Sequence, residues 1–511
     1  MNIWHFSGAE STTLDKRAPE SDGELVPSVG RDRLTTFALA YLAIPNLIFV
    51  IGWFSPLPAA FLCAAMAFLL ARPLWSRFAI ESPVPGRAAL LWTGIASCLW
   101  SAFGGGSHFM YANVDWLVRD ALLADLIHFE WPVQYVNETN HVLVLRSAIG
   151  FFLPPALLGK TLGTAHVNIA IYAWTALGVQ IFLLLLPLPR HSHWRILIAL
   201  ILVMLFSGMD ILGQLVTTGS LPIFPLRMEW WVPISYSSLS GQLLWAPNHS
   251  LPIWICTALY LRHLQQEESL GVSAAALSLS LVWTPFAALG LFPFLITSAL
   301  RHVRTWGWRS APWTTILATL VYSLPIVLFL SIDFSRIEAV LPLAPPPETS
   351  TYALQAYSLR TYIAFISCEF LLLGLALAPH ITRARTEFWL AIALLLAIPL
   401  FRLGPSNDLG LRLSGTPLII LLAACLRALL ATPRFPPTLT AWLAALFLLV
   451  GAPTAVSELW RAATFPRTPA DYRTSLAERQ GGQPAPHYVG HLNAYLLRSW
   501  LRPSAGHRLS R

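Results

Sequence analysis

Apolar residues run in long blocks along this chain, interrupted by short basic loops and by a few long mixed ones. Blocks long enough to cross about 30 Å of hydrocarbon fall at 35–54, 57–71, 88–103, 165–187, 196–212, 250–262, 271–284, 286–300, 313–332, 361–379, 386–402, 412–430 and 438–452. Each predicts a helix. The pair 271–284 and 286–300 meets at "WTPF", where Pro285 removes a backbone donor, so a tight helical hairpin is predicted, with one long kinked helix as the alternative. A further apolar stretch, "VLVLRSAIGFFLPPALL" at 142–158, carries Arg146 and the Pro154-Pro155 pair, and reads as a juxtamembrane or re-entrant segment rather than a crossing. No internal repeat is evident, and the proline-rich "LPLAPPPETS" at 341–350 reads as a loop.

Composition agrees with the pattern. Of 511 residues 56% are hydrophobic and 11% charged, more apolar sequence than a water-soluble core of this size uses. The fold class is therefore an all-α polytopic membrane protein of about 11–13 transmembrane helices. A formal charge of +8 would suggest nucleic acid for a soluble domain; here the arginines lie in short loops, where they set orientation, and no nucleic-acid partner is implied. Cysteines 63, 98, 256, 368 and 425 show no paired spacing, which excludes a disulfide framework or a zinc site from the reading.

"ARPLWSR" at 71–77, "PRHSHWR" at 189–195, "RHVRTWGWR" at 301–309, "TRAR" at 382–385 and "RALLATPR" at 427–434 all belong on the cytoplasmic side. Residues 1–34, polar and without a cleavable-signal core, form a cytoplasmic tail. The transmembrane domain spans 35–452, and 453–511 is a short extracytoplasmic tail, with a helical flap expected around "HYVGHLNAYLLRSWL" at 487–501. That places the long loops 104–164, 213–249, 333–360 and 403–411 on the outer face. Polar backbone at that level is tolerated around a water-filled cavity, so the chemistry is expected outside.

Three stretches carry candidate chemistry. "NVDWLVRDALLADLIHFEWP" at 113–132 concentrates acids in a chain poor in charge; as a helix it sets Asp115 and Arg119 on one face, four residues apart, with Asp120 beside them. Asp115 follows the glycine-rich "GGGSHFMYAN", where a general base could reach an acceptor hydroxyl or amine; Asp125 and Glu130 read equally well as acids facing water. "MEWWVPISYSSLSGQLLWAPNHSLP" at 228–252 offers Glu229, Trp230, Gln242, Asn248 and His249, a mix suited to a sugar ring or headgroup, although an interfacial aromatic belt accounts for the tryptophans more simply. "FRLGPSNDLGLRLSGTP" at 401–417 places Asn407, Asp408 and Arg412 at a span entrance, with the carboxylate and the guanidinium at i and i+4. Arginine there can hold a phosphate in bidentate fashion; Arg360 and Lys160 are further cations at the same level, and simple snorkelling is the competing account of each.

In this order of features the chain resembles the GT-C glycosyltransferases, multispanning enzymes that transfer sugars from polyprenyl-phosphate or polyprenyl-diphosphate carriers. It is also similar to bacterial multispanning proteins of unassigned activity. Asp115 occupies the acidic position of the first large outer loop, and "FFLPPALLGKTLG" at 151–163 looks like the juxtamembrane segment. Two spans precede the one leading into that loop, where the simplest members have none, and no soluble C-terminal domain is expected in the 59 residues after 452. The resemblance implies a bacterial inner-membrane enzyme with a polyprenyl-linked sugar donor and a glycan, lipid or protein acceptor. It assigns Asp115, Asp120 and His249 to catalysis; Arg119, Glu229, Trp230, Gln242, Asn248, Asn407 and Asp408 to the substrate; and Lys160, Arg360 and Arg412 to the lipid phosphate. A divalent cation on Asp115, Asp120 and Glu229 is compatible with the reading and not required by it. The alternatives are a transporter or flippase, and an enzyme like the O-antigen ligases and polymerases.

Overall fold

The computed structural model describes residues 28–76, 78–80, 86–137, 139–189, 192–226, 228–232, 234–264, 266, 269–333, 339–340, 358–403, 408–430 and 438–509. Asn407 lies outside them. The chain is mostly helical. In order come α1 (Arg33–Trp53), α2 (Pro56–Trp75), α3 (Arg87–Ala102), α4 (Asp115–His128), α5 (Leu153–Leu162), α6 (Val167–Leu185), α7 (His193–Leu205), α8 (Asp210–Thr218), α9 (Leu239–Trp245), α10 (Pro247–His263), α11 (Ser269–Ser280), α12 (Pro285–Trp306) and α13 (Trp313–Leu330). Then follow α14 (Leu359–Ile366), α15 (Leu372–Leu377), α16 (Arg385–Ala397), α17 (Asp408–Leu413), α18 (Gly415–Leu430) and α19 (Leu439–Thr464).

Among the described residues nine helical segments are long and apolar enough to cross a membrane: α1, α2, Thr164–Leu185, α7 with α8, α12, α13, Leu359–His380, Asp408–Leu430 and α19. The other four predicted crossings are also helical but shorter, as α3, α10, α11 and α16 with 16, 17, 12 and 13 residues. The hairpin at "WTPF" forms: α11 stops at Ser280, α12 starts at Pro285, and the two helices pack together. α10 lies at the centre of the bundle, against α6, α11, α12 and α18, and is buried along nearly its whole length.

Polar contacts sort the helix termini into two ends. At one, Asp32 accepts from Arg262 Nε (2.7 Å), Trp92 Nε1 donates to His193 Nδ1 (2.9 Å), and Arg301 pairs with Glu387. At the other, Asn113 Nδ2 donates to the Leu244 carbonyl (3.1 Å), Arg146 Nη1 to that of Leu330 (3.1 Å), and the tail closes on the α1–α2 turn through Ser55 N to Trp500 O (2.7 Å). Successive apolar helices must run antiparallel for both sets to hold. The long loops therefore share one end.

Residues 142–158 form no spanning helix. β3 (Gln134–Val136) and β4 (Val142–Leu145) make a hairpin that becomes a four-stranded sheet by adding β7 (Val489–His491) and β8 (His507–Arg508), in the order β7-β4-β3-β8. Two minor ladders pair β1 (Ser28–Gly30) with β2 (Phe78–Ile80) and β5 (Ala339–Val340) with β6 (Arg402–Leu403). The sheet departs from the expectation of a purely helical chain. It also replaces the expected helical flap: residues 489–501 are a strand and two 3-10 turns, because β4 offers a free edge that backbone pairing satisfies.

Candidate functional site

At the loop-bearing end, α4 begins at Asp115, whose backbone N–H is received by the Asn113 side chain (3.0 Å). One turn on, Arg119 Nη2 pairs with Asp115 Oδ2 at 3.1 Å. The carboxylate is 45% exposed and the guanidinium nearly buried, so the acid stays open to a ligand while the arginine is fixed. Arg119 is held by the Trp245 carbonyl and by the face of Trp116, 5.1 Å from the ring centre.

The second arginine arrives from α17. Arg412 Nη2 pairs with Asp408 Oδ1 at 2.8 Å, Nη1 donates to His249 Nε2, and the guanidinium lies 5.7 Å from the Phe286 ring. A guanidinium has no acceptor. His249 Nε2 must therefore accept, leaving the hydrogen on Nδ1 to donate to Thr284 Oγ1 at 2.7 Å. Thr284 is in turn the N-cap of α12, receiving the Phe286 N–H. His249 is thus an orienter of Arg412, locked as a neutral imidazole.

These two arrangements meet. Arg119, Arg412 and His249 lie within electrostatic range of one another. Tyr488, from the C-terminal segment, lies within range of both guanidiniums and of Asp115 and Asp408. Burial pushes its phenol above the ordinary range, with the arginines opposing, so it presents a neutral hydroxyl at pH 7. His487 stands near Asp408, Arg412 and Arg146. Asn248, next to His249, has a buried side-chain oxygen with no hydrogen-bond partner. Two guanidiniums, two carboxylates, a neutral imidazole and a phenol thus converge from α4, α10, α17 and the tail. Such a group can bind an anion between its arginines and orient a hydroxyl beside Asp115.

Other candidates lie elsewhere. Asp120 is buried and binds His108 Nε2 (3.1 Å) through one oxygen and the Asp471 N–H (3.2 Å) through the other, which ties the glycine-rich loop to the tail. Burial works against protonation of His108, but Asp120 and the Thr468 carbonyl together raise its pKa above the ordinary value. Asp125, read as possibly facing water, is instead 1% exposed, accepting from Tyr135 Oη (2.6 Å) and Leu476 N (3.0 Å); burial pushes it up to about 6. Glu130 is exposed and accepts from the Ala505 N–H (3.3 Å).

Glu229 accepts from Ser238 N (2.9 Å) and Oγ (2.7 Å), and burial, reinforced by Glu458 and Asp210, pushes it up to about 8. Gln242 braces α9 to α10 by accepting from Trp254 Nε1 (2.9 Å), and donates to the Ser237 carbonyl just before α9 (2.9 Å). Trp230 is 54% exposed. Lys160 donates to the carbonyls of Ile127 and Phe129 (3.2 and 2.6 Å), at the far end of α4; twelve residues of helix put that about 18 Å from Asp115. Arg360 is exposed at the start of α14 and makes no described contact with the convergent group. Asp115, Asp120 and Glu229 engage three separate sets of partners, and among the described residues no three His, Cys, Asp or Glu side chains converge as metal ligands.

The sequence reading missed Tyr488, His487 and Arg146 as neighbours of this group. Only Arg146 carried a signal, as a charge within an apolar stretch. No protein-family model matches this chain, and no curated protein and no solved structure matches it.

Proposed function

We propose that this protein is a glycosyltransferase of GT-C type, moving a sugar from a polyprenyl-phosphate-type donor to an acceptor at the outer face of the membrane. The observation that carries the reading is the convergence of a half-exposed Asp115 with Arg119, Arg412 and His249 from distant elements at the loop-bearing end. A donor phosphate entering from the leaflet exchanges for Asp115 as partner of Arg119 and is gripped on its other side by Arg412, which His249 and Asp408 orient. Asp115, released from its ion pair, takes the proton of the acceptor hydroxyl. The acceptor oxygen forms a bond to the anomeric carbon as the bond from that carbon to the phosphate oxygen breaks, and the carrier phosphate leaves with the electron pair. The leaving group is already good, so positioning supplies most of the acceleration.

One observation favours the transporter reading: carboxyl groups lie inside the spans, at Asp210, Glu369 and Glu458. A single assay separates the two. Purified protein in proteoliposomes is given a polyprenyl-phosphate-linked sugar, and free carrier phosphate is measured. Turnover that vanishes in Asp115→Asn while expression is kept supports transfer. Movement of the substrate across the vesicle without conversion, or full turnover in Asp115→Asn, refutes it.

A further inference from the structure

Two spans lose their regular winding where they face each other. α7 ends at Leu205 and α8 begins at Asp210. Opposite, Ser367–Leu371 is wound as a π-turn between α14 and α15, and the Met209 N–H donates to the Cys368 carbonyl at 3.0 Å. Irregular backbone of this kind within a span recurs at functional sites.

Asp210 and Glu369, 1% and 4% exposed, meet at this junction with their carboxyls in hydrogen-bonding contact. Asp210 accepts from Trp231 Nε1 (2.9 Å) and Thr454 Oγ1 (2.8 Å). Glu369 differs: both of its oxygens are buried, and no N–H or O–H of the protein reaches either. Gly208 makes the space, since a Cβ there would collide with Glu369 Oε2. The Ser207 hydroxyl alongside is also buried without a partner. The charged and titratable groups facing the pair are Cys368 on the π-turn and Glu229 from the loop after α8; Glu229 in turn faces Glu458 on α19, which is paired with Arg461.

Two carboxylates in contact in a low-dielectric interior cannot both stay ionised. A proton fits a gap of hydrogen-bond width, whereas among the described residues no third ligand converges for a metal ion. We propose that Asp210 and Glu369 form a proton-binding pair within the membrane-spanning region, Glu369 donating one shared proton to Asp210. Between this region and the outer cluster, Glu458 accepts from Trp245 Nε1 (2.7 Å), and the Trp245 carbonyl accepts from Arg119. The inference is independent of glycosyl transfer.

Infrared difference spectra of the full chain in lipid test it. Wild type minus Glu369→Gln at neutral pH is expected to show one protonated-carboxyl carbonyl band that shifts in D2O. Burial alone keeps a lone Glu369 protonated, so Asp210→Asn should retain the band at a frequency moved by the change of acceptor. Thr454→Val, which deletes one donor to Asp210 and leaves the pair intact, should also move the band without removing it. No band in the Glu369→Gln difference, a band unmoved in Asp210→Asn, or one unmoved by Thr454→Val overturns the proposal. So does sodium or calcium binding lost in Glu369→Gln with no acid band, which would make this a metal-cation site.

Discussion

Arg146→Met tests how the tail is held over the polar cluster. Arg146 is 4% exposed; its Nη1 donates to the Leu330 carbonyl at the end of α13 (3.1 Å) and its Nη2 to the Pro486 carbonyl (3.0 Å). Its own backbone N–H donates to the Tyr488 carbonyl (2.9 Å), continuing the pairing of β4 with β7. Methionine keeps the stem and removes both donors. Each orphaned buried carbonyl costs about 1–3 kcal/mol, and relief of the buried charge returns part of that. A net loss of about 2–4 kcal/mol, at 1.36 kcal/mol per tenfold, opens the tail about 30- to 900-fold more often. Amide hydrogen exchange reads this directly: protection at Gly490, which pairs with Val144 of β4, should fall by that factor, while the amides of α10 at the bundle centre keep theirs. Unchanged exchange at Gly490 would refute the clamp, and an equal loss across the bundle would show that Arg146 supports the whole fold.

Two further predictions follow from the geometry. Arg412→Lys keeps the charge but cannot grip Asp408, His249 and a phosphate together, so binding of a polyprenyl phosphate to the purified protein should weaken at least tenfold; unchanged binding would remove Arg412 from the phosphate site. Asp125 has a folded pKa of about 6 against 3.8 for the free group, so the unfolded chain ionises first as pH rises. Stability should therefore fall by about 3 kcal/mol between pH 4 and pH 6 and then level off. In detergent, melting curves of Asp125→Asn should lack that decline, and an identical pH profile in the two proteins would contradict the assignment.

The helices were legible because a segment in hydrocarbon must be apolar along its length, a signal each block carries by itself. Asp115 with Arg119, and Asp408 with Arg412, were legible for a related reason: i and i+4 on a helix share a face whatever the tertiary structure. Their meeting was not, since it depends on how α4, α10 and α17 pack, and residues nearly 300 positions apart leave no local trace. The small sheet escaped notice because its strands are two to four residues long and β8 pairs with a strand some 370 residues earlier. Asp210 and Glu369 did leave a trace. Each is an acid inside a predicted crossing, and the expense of burying an unpaired charge there was itself a signal. Trp230, by contrast, is exposed.

The account stands on a water-accessible polar site at the outer end of the bundle. Asp115→Cys in a cysteine-free background, treated in intact cells with a membrane-impermeant maleimide, tests that most directly. The account predicts labelling from outside, slowed by added polyprenyl phosphate as it settles between Arg119 and Arg412. Labelling only after the cells are opened, or none even then, would contradict it.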